Sequence, residues 1–325
     1  MRVSHFGVVL TLFMTAACAL PAASQKPDNN KDQPDDPNDS YYTQPQAKND
    51  NSTNRLERLK QPKKKVLVLS FWNDTPVGDA SLGDFAGEEL KRELYLSRRV
   101  VYPSDQSATS VTKDFVDGDR VQIAQLVKEG RRQGVNSVVI GRISKIIFRQ
   151  EREEVGILRE SQSAVAVDIE MKIFDVNSGR EVYGVKRSGM AEITSRVVFD
   201  QDATSSKEAR NEVAKQAIHD AVMKLVPDAV TAMDKMDWQG RVAKIIGNKV
   251  YVNAGKSSGL LSGDILKVMS AGEDIIDPVT KAFLGRSEGS LKGTLEVTEF
   301  IGDDSAMTYI HTGGNFQEGD VVRLY

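Results

Sequence analysis

The chain has 325 residues, and its 43 Lys and Arg against 46 Asp and Glu leave a formal net charge of -3. That length allows roughly two domains plus a tail, and the mild charge gives no reason to expect nucleic acid as the main partner. The only cysteine is Cys18, which excludes an intrachain disulfide framework and a thiolate metal cluster, and the three histidines His5, His219 and His311 argue against a His-rich metal site.

Arg2 supplies a short positive start. Phe6 to Met14 is apolar apart from Gly7 and Thr11, is too short to cross a bilayer, and is followed by the small residues Ala16, Ala17, Cys18 and Ala19. This is the pattern of a signal peptide over residues 1–18. Thr15-Ala16-Ala17-Cys18 resembles the lipobox of bacterial lipoproteins, with Thr15 where those proteins usually carry Leu. The resemblance implies lipidation at Cys18; cleavage after Ala19 or Ser24, with a soluble product, is the alternative. Ala19 rather than Asp after the cysteine implies, by the bacterial sorting rule, a periplasmic protein anchored to the outer membrane.

Residues 19–62 read as a disordered tether. Gln25 to Gln61 is rich in Asp, Asn, Gln, Pro and Lys, and its large apolar residues are only Tyr41, Tyr42, Leu56 and Leu59. Such a stretch cannot bury enough surface to offset its ordering entropy. As a coil it would reach about 35 Å root-mean-square. Lys63-Lys64-Lys65 reads as the solvated flank of the next strand.

A first folded domain is expected over residues 63–236. Val66 to Phe71 is a continuous apolar run, as in a strand buried on both faces, and Asn73-Asp74-Thr75-Pro76 ends it in a turn. Ser81-Leu82-Gly83-Asp84 looks like a capping box for a helix carrying Leu82, Phe85, Ala86, Leu90 and Leu94. Arg99 to Tyr102 reads as a short strand stopped by Pro103. A second helix starts at Asp119 and is closed by Gly134, and Ser137 to Gly141 is another buried strand. Strand-helix-strand-helix-strand order predicts parallel pairs.

The period then switches to two. Val165, Val167, Ile169, Met171 and Ile173 alternate with polar residues, Asn177-Ser178-Gly179 makes a hairpin turn, and Glu181 to Val185 returns. Ser205-Ser206-Lys207-Glu208 is a second capping box. It opens a long helix with Val213, Ala217, Ile218, Ala221, Val222 and Leu225 on one stripe, interrupted at Pro227.

Three stretches together carry a likeness: Val66 to Phe71 with Asn73-Asp74-Thr75, then Gly134 to Gly141, then Phe174-Asp175-Val176-Asn177-Ser178-Gly179. In this order they resemble the domain shared by the CsgG, TolB N-terminal, LpoB and FlgT envelope proteins. CsgG forms a secretion channel by inserting hairpins into the outer membrane. The matching segments here, Arg149 to Ser163 and Thr194 to Ser206, are too charged to supply a lipid-facing apolar row, so the channel reading is demoted.

From Trp238 to Tyr325 short strands are expected at Arg241 to Ile246, Lys249 to Asn253, Asp264 to Met269, Thr294 to Phe300, Ala306 to His311 and Val321 to Leu324. Glycine-rich turns between them predict a small closed or sandwich β domain. Gly259 to Asp264 has an echo in Gly314 to Asp320. Val250 to Gly255, Gly259 to Asp264, Asp277-Pro278-Val279-Thr280 with Leu284-Gly285, and Phe316 to Val322 resemble the C-terminal domain of FlgT, a ring-building protein of the flagellar basal body. The expected fold class is therefore α+β, a mixed α/β sandwich with parallel and antiparallel strands, followed by a small all-β barrel-like domain.

Catalytic signatures are weak. Gly255-Lys256-Ser257 lacks the earlier glycine and the following helix of a phosphate-binding loop. Glu151, Glu153, Glu154 and Glu160 are interleaved with Arg149, Arg152 and Arg159, as in a solvated hairpin. His219 and His311 make no Ser-His-Asp order, and Trp72 and Trp238 are expected at domain edges. The expectation is a protein that is not an enzyme, has no catalytic, cofactor or metal residues, and carries Cys18 as its lipidation site. Its partners would be an envelope protein complex, either the flagellar basal body or a peptidoglycan synthase, together with the membrane, and it would be able to homo-oligomerise. The leading role is a FlgT-like scaffold; the rivals are an LpoB-like regulator of peptidoglycan synthesis and a CsgG-like channel component.

Overall fold

The computed structural model describes residues 61–103, 111–118, 120–155, 158–197 and 207–325. Cys18, the signal segment, the tether up to residue 60, Asp119 and the capping pair Ser205-Ser206 lie outside the described residues. The molecule is α+β, with a mixed sheet flanked by helices and a closed all-β barrel after it.

The first part opens with β1 (Lys64–Val68) and β2 (Trp72–Asn73). Helix α1 (Ala80–Leu96) follows. Its N-cap is Asp79, whose carboxylate accepts the Ser81 backbone N–H. Sequence pattern places the cap at Ser81; the cap is instead two residues earlier, because Asp79 is the residue in extended backbone with a side chain placed to accept. Next come β3 (Val100–Val101), a 3-10 turn at Thr112–Phe115, and the short ribbon of β4 (Val116–Asp117) with β5 (Arg120–Val121). Helix α2 (Ile123–Arg132) therefore begins later than Asp119, since Arg120 and Val121 are taken up by pairing with β4.

Three long strands complete the sheet: β6 (Ser137–Val155), β7 (Leu158–Asp175) and β8 (Glu181–Val197), of 19, 18 and 17 residues. The predicted strand Ser137 to Gly141 is only the start of β6. Helix α3 (Lys207–Asp234) packs across β7 and β8. Pro227 does not interrupt it. The carbonyl its ring leaves unbonded is on exposed Met223, where water can satisfy it, and buried Ala229, Ala232 and Met233 hold the last turns in place.

The sheet order is β3-β1-β6-β7-β8, with β2 also on β6. The pairs β1–β3, β1–β6 and β2–β6 are parallel, and β6–β7 and β7–β8 are antiparallel. Val66 and Phe71 pack with α1 and α3 residues on one face, while Leu69 packs with Leu126 of α2, Val138 and Phe174 on the other. The alternating row Val167, Ile169, Met171, Ile173 is fully buried under α3. Each such side chain is worth about 1.5–3 kcal/mol on transfer from water. Gly189 of β8 lets the helix come this close: a Cβ there would sit 2.0 Å from the Ala217 carbonyl oxygen.

The second part is a closed barrel of order β10-β15-β14-β11-β16-β9. Its strands are β9 (Gly240–Ile246), β10 (Lys249–Val252), β11 (Ile265–Met269), β14 (Leu291–Ile301), β15 (Ser305–Gly313) and β16 (Val321–Leu324). Between β11 and β14 an unpredicted arm emerges, made of β12 (Asp274–Ile276) and β13 (Phe283–Arg286) around the Asp277 turn. Trp238 is not at an edge. It is 5 % exposed and belongs to the barrel core with Val250, Leu266, Leu295 and Val322.

The sequence echo has a structural basis. Asp264 accepts the Leu261 N–H and Asp320 accepts the Gln317 N–H, both at 2.7 Å. Gly263 and Gly319 take φ of 91° and 93°, a conformation that favours glycine. Gly263 and Asp264 bond Val297 as Gly319 and Asp320 bond Val242, so two copies of one turn launch the paired strands β11 and β16.

β8 is an edge strand, and α3 guards its middle. Lys224 donates to the Ser188 carbonyl and Asp220 accepts the Met190 N–H, both at 3.0 Å. An unguarded edge is a template for pairing with another chain. The double variant Asp220→Ala, Lys224→Ala is expected to self-associate with rising concentration while keeping its circular dichroism. Size-exclusion chromatography with light scattering checks this, and an unchanged mass across the range counts against the guard.

Candidate functional site

The sheet part and the barrel are fastened by polar contacts. Lys63 N–H donates to the Ser258 carbonyl at 2.7 Å, and Lys65 Nζ to the Asn253 carbonyl at 3.1 Å. Asn136, at the foot of β6, accepts the Lys65 N–H at 2.8 Å through its side-chain oxygen and donates to the Gln239 carbonyl through Nδ2. Arg131 of α2 grips Asp274 of the arm with two bonds of 2.9 Å, and Arg241 Nη1 donates to the Arg131 carbonyl at 2.9 Å. Phe283 of the arm lies against Gly179, where a Cβ would come within 2.2 Å of its ring.

These contacts frame a cleft of about 690 Å³. One wall is the β7–β8 turn with the end of α3, and the other is the outer face of β11 and β16 with the base of the arm. The volume falls in the range of small-molecule pockets. Two of the carboxylates in its walls are already engaged. Asp175 accepts the Asn177 and Ser178 N–H groups and the Ser178 hydroxyl. Asp228 pairs with Arg187 at 2.8 Å and lies beside Tyr183, whose phenol is pushed up by burial and then by that carboxylate.

The floor carries Arg286 and Arg323 together with Glu288. Arg286 donates from Nε to the Gly272 carbonyl and lies 3.7 Å from Asp274. Arg131 and Arg286 thus share the Asp274 carboxylate, and Arg241 sits beside the two of them. Burial first, and then Arg131 and Arg286, hold Arg241 below the ordinary arginine value. Hydrogen bonding from Arg131 holds Asp274 below the usual 3.8. Arg323, on β16, lines the cleft with a buried Nε, and among the described residues no hydrogen bond or ion pair reaches it. The arrangement is equipped to bind, with the cations Arg180, Lys235, Arg286 and Arg323 lining an open volume.

The residues singled out by sequence lie elsewhere. The side chains of Glu151, Glu153, Glu154 and Glu160 are outside the described residues, as is Cys18. His219 pairs with buried Glu89 between α3 and α1, so it is a satisfied residue. His311 is exposed within β15, not at its end. Ser257 donates to Asp304 and Lys256 lies over the Phe300 ring at 5.6 Å, on the barrel. Among the described residues no group of three His, Cys, Asp or Glu is placed to hold a metal ion. Sequence reasoning missed Arg286, Arg323 and Asp274. Arg323 alternates with barrel-facing Val322 and reads as an ordinary wet position, and Asp274 and Arg286 belong to an arm with no strand signal.

No family model matches the chain, and no curated protein matches it. Solved structures similar to part of it include a hypothetical protein of Chlamydia trachomatis, at 12% identity over 53% of this chain and 98% of that one, with a TM-score of 0.34. A protein of Caulobacter crescentus designated a lipoprotein aligns at 13% identity over 51% and 92%, with a TM-score of 0.28. A minor lipoprotein of Acinetobacter baumannii aligns at 11% identity over 52% and 93%, with a TM-score of 0.27. None of these reaches a TM-score of 0.5, and the functional reading below rests on this chain's own residues.

Asn136→Ala strands the Gln239 carbonyl and the Lys65 N–H at once. Its expected cost is about 2 kcal/mol of unfolding free energy. Urea denaturation followed by the fluorescence of Trp72 and Trp238 measures it; a midpoint equal to the parent's would remove Asn136 from this role.

Proposed function

We propose that this protein is a non-catalytic, membrane-tethered component of a bacterial cell envelope that acts by docking. The observation that carries the reading is Thr15-Ala16-Ala17-Cys18: the chain's sole thiol stands where an apolar export segment ends, ahead of a long polar stretch. Lipidation of Cys18 would anchor the chain at the outer membrane and leave the folded parts in the periplasm, with membrane affinity growing by about 0.8 kcal/mol per buried methylene. The polar contacts between sheet and barrel support a passive mechanical role, because a load taken by one part passes to the other.

The finer reading is a FlgT-like scaffold of an envelope assembly such as the flagellar basal body, supported by the residues of the barrel half that resemble FlgT. A second reading, an LpoB-like activator of a peptidoglycan synthase, is favoured by the length and polarity of the tether. Partner binding would use exposed surfaces of the sheet and barrel, with no covalent chemistry.

Labelling cells with radioactive palmitate is expected to mark the parent protein and leave Cys18→Ala unmarked; a parent protein without label ends the anchor proposal. Deleting residues 26–55 separates the two roles. A scaffold docked near the membrane is expected to keep its function in a complementation assay, whereas loss of function selects the activator that must reach across the periplasm.

A further inference from the structure

The cleft between sheet and barrel has features that a merely structural crevice does not require. Arg323 places a guanidinium on its floor with a buried Nε, and among the described residues it has no carboxylate or carbonyl partner. Leaving a buried donor unpaired is unfavourable, and an acceptor on a ligand would relieve it. On the facing wall Arg180 and Lys235 are exposed, and among the described residues neither makes a side-chain hydrogen bond or ion pair. The neighbouring arginines add to this field, with Arg131 and Arg286 on the single carboxylate of Asp274 and Arg241 beside them. Of the carboxylates lining the cleft, Asp228 is paired with Arg187, which leaves Asp175, itself hydrogen-bonded to its own turn, with Asp237 and Glu288 to set against Arg180, Lys235, Arg286 and Arg323.

We propose that this cleft is a binding site for a small oxyanion-bearing ligand, a carboxylate or phosphate ester, whose charged group is taken by Arg323 and flanked by Arg286 from the floor and Arg180 and Lys235 from the opposite wall. A guanidinium offers a planar fork of donors that fits both anions in bidentate fashion. The cleft's volume admits more than the anion itself. Met269 and Val321 form an apolar strip beside Arg323, against which the uncharged body of such a ligand can lie. The sheet and the barrel each supply one wall, so occupancy would tighten the junction that Asn136 and Arg131 already hold. The assignment depends only on the folded parts and stands or falls separately from the tether and anchor.

The test uses the full chain in calorimetric titration and thermal melts, with inorganic phosphate in one arm, citrate in a second and sodium chloride at matched ionic strength as the reference. Saturable binding with a Kd below roughly 10 mM, together with a raised melting temperature, is expected in at least one of the first two arms. Phosphate alone selects a phosphate ester, citrate alone a carboxylate, and both a site that reads charge without geometry. Arg323→Gln is expected to weaken binding at least tenfold, and Arg323→Lys to restore part of it. Arg180→Gln, an exposed change on the other wall, is expected to weaken binding severalfold without moving the melting temperature of the free protein. Lys244→Gln, a surface change elsewhere on the barrel, is expected to bind like the parent. The proposal is overturned if neither anion saturates, if the response matches chloride, or if Arg323→Gln and Arg180→Gln both bind as tightly as the parent.

Discussion

Asn136 is the point on which the two halves of the molecule depend. Its backbone N–H donates to Lys65 and its carbonyl accepts from Val176, which joins the foot of β6 to β1 and to the end of β7. Its side chain then accepts from Lys65 and donates to Gln239, the residue before the first barrel strand. One short amide therefore connects the parallel half of the sheet, the antiparallel half and the barrel. An apolar side chain would keep the backbone bonds but leave the Lys65 N–H and the Gln239 carbonyl without these partners. The Arg131–Asp274 pair and the Phe283–Gly179 contact repeat the fastening on the far side, so the cleft between them has fixed walls. A ligand meeting such walls loses less to ordering than one that must assemble its own site.

The two parts handle exposed backbone differently. The barrel closes on itself and has no edge. Its two matching Asp turns place β11 and β16 side by side, and their outer face becomes the cleft floor. The sheet keeps a long edge at β8, covered in the middle by two side chains of α3. That cover is available because Gly189 allows α3 to lie directly on the strand. The same close approach that buries the apolar row of β7 brings Asp220 and Lys224 within reach of the edge.

Much of the architecture was legible from local pattern. The two-residue alternation from Val165 to Ile173, the helical stripe from Val213 to Leu225 and the glycine turns of the barrel all became the elements they predicted, while the run Val66 to Phe71 is strand only to Val68, with a second short strand at Trp72–Asn73. The errors cluster where a local rule meets a neighbour. Ser81 lost the cap to Asp79, Pro227 was carried through a helix by the packing of Ala229 and Met233, and Trp238 left an expected edge for the barrel core. The arm of β12 and β13 had no strand signal, because its outward residues Ile275, Ile276 and Leu284 do not alternate with a buried face of its own.

What the residues determine on their own is most of the elements, since periods of two and 3.6 and the backbone needs of Gly and Asp act over a few neighbours in the chain. The proposal of export and lipidation at Cys18 likewise rests on local pattern. The cleft belongs to the tertiary structure alone. Arg323 at the end of the last strand, Asp175 at the end of β7 and Arg286 on the arm are remote in sequence and meet only because the barrel is fastened against the sheet. A charged residue on the wet side of a strand looks the same in sequence whether it faces bulk water or another wall of the same molecule. That difference arises only when the two parts pack.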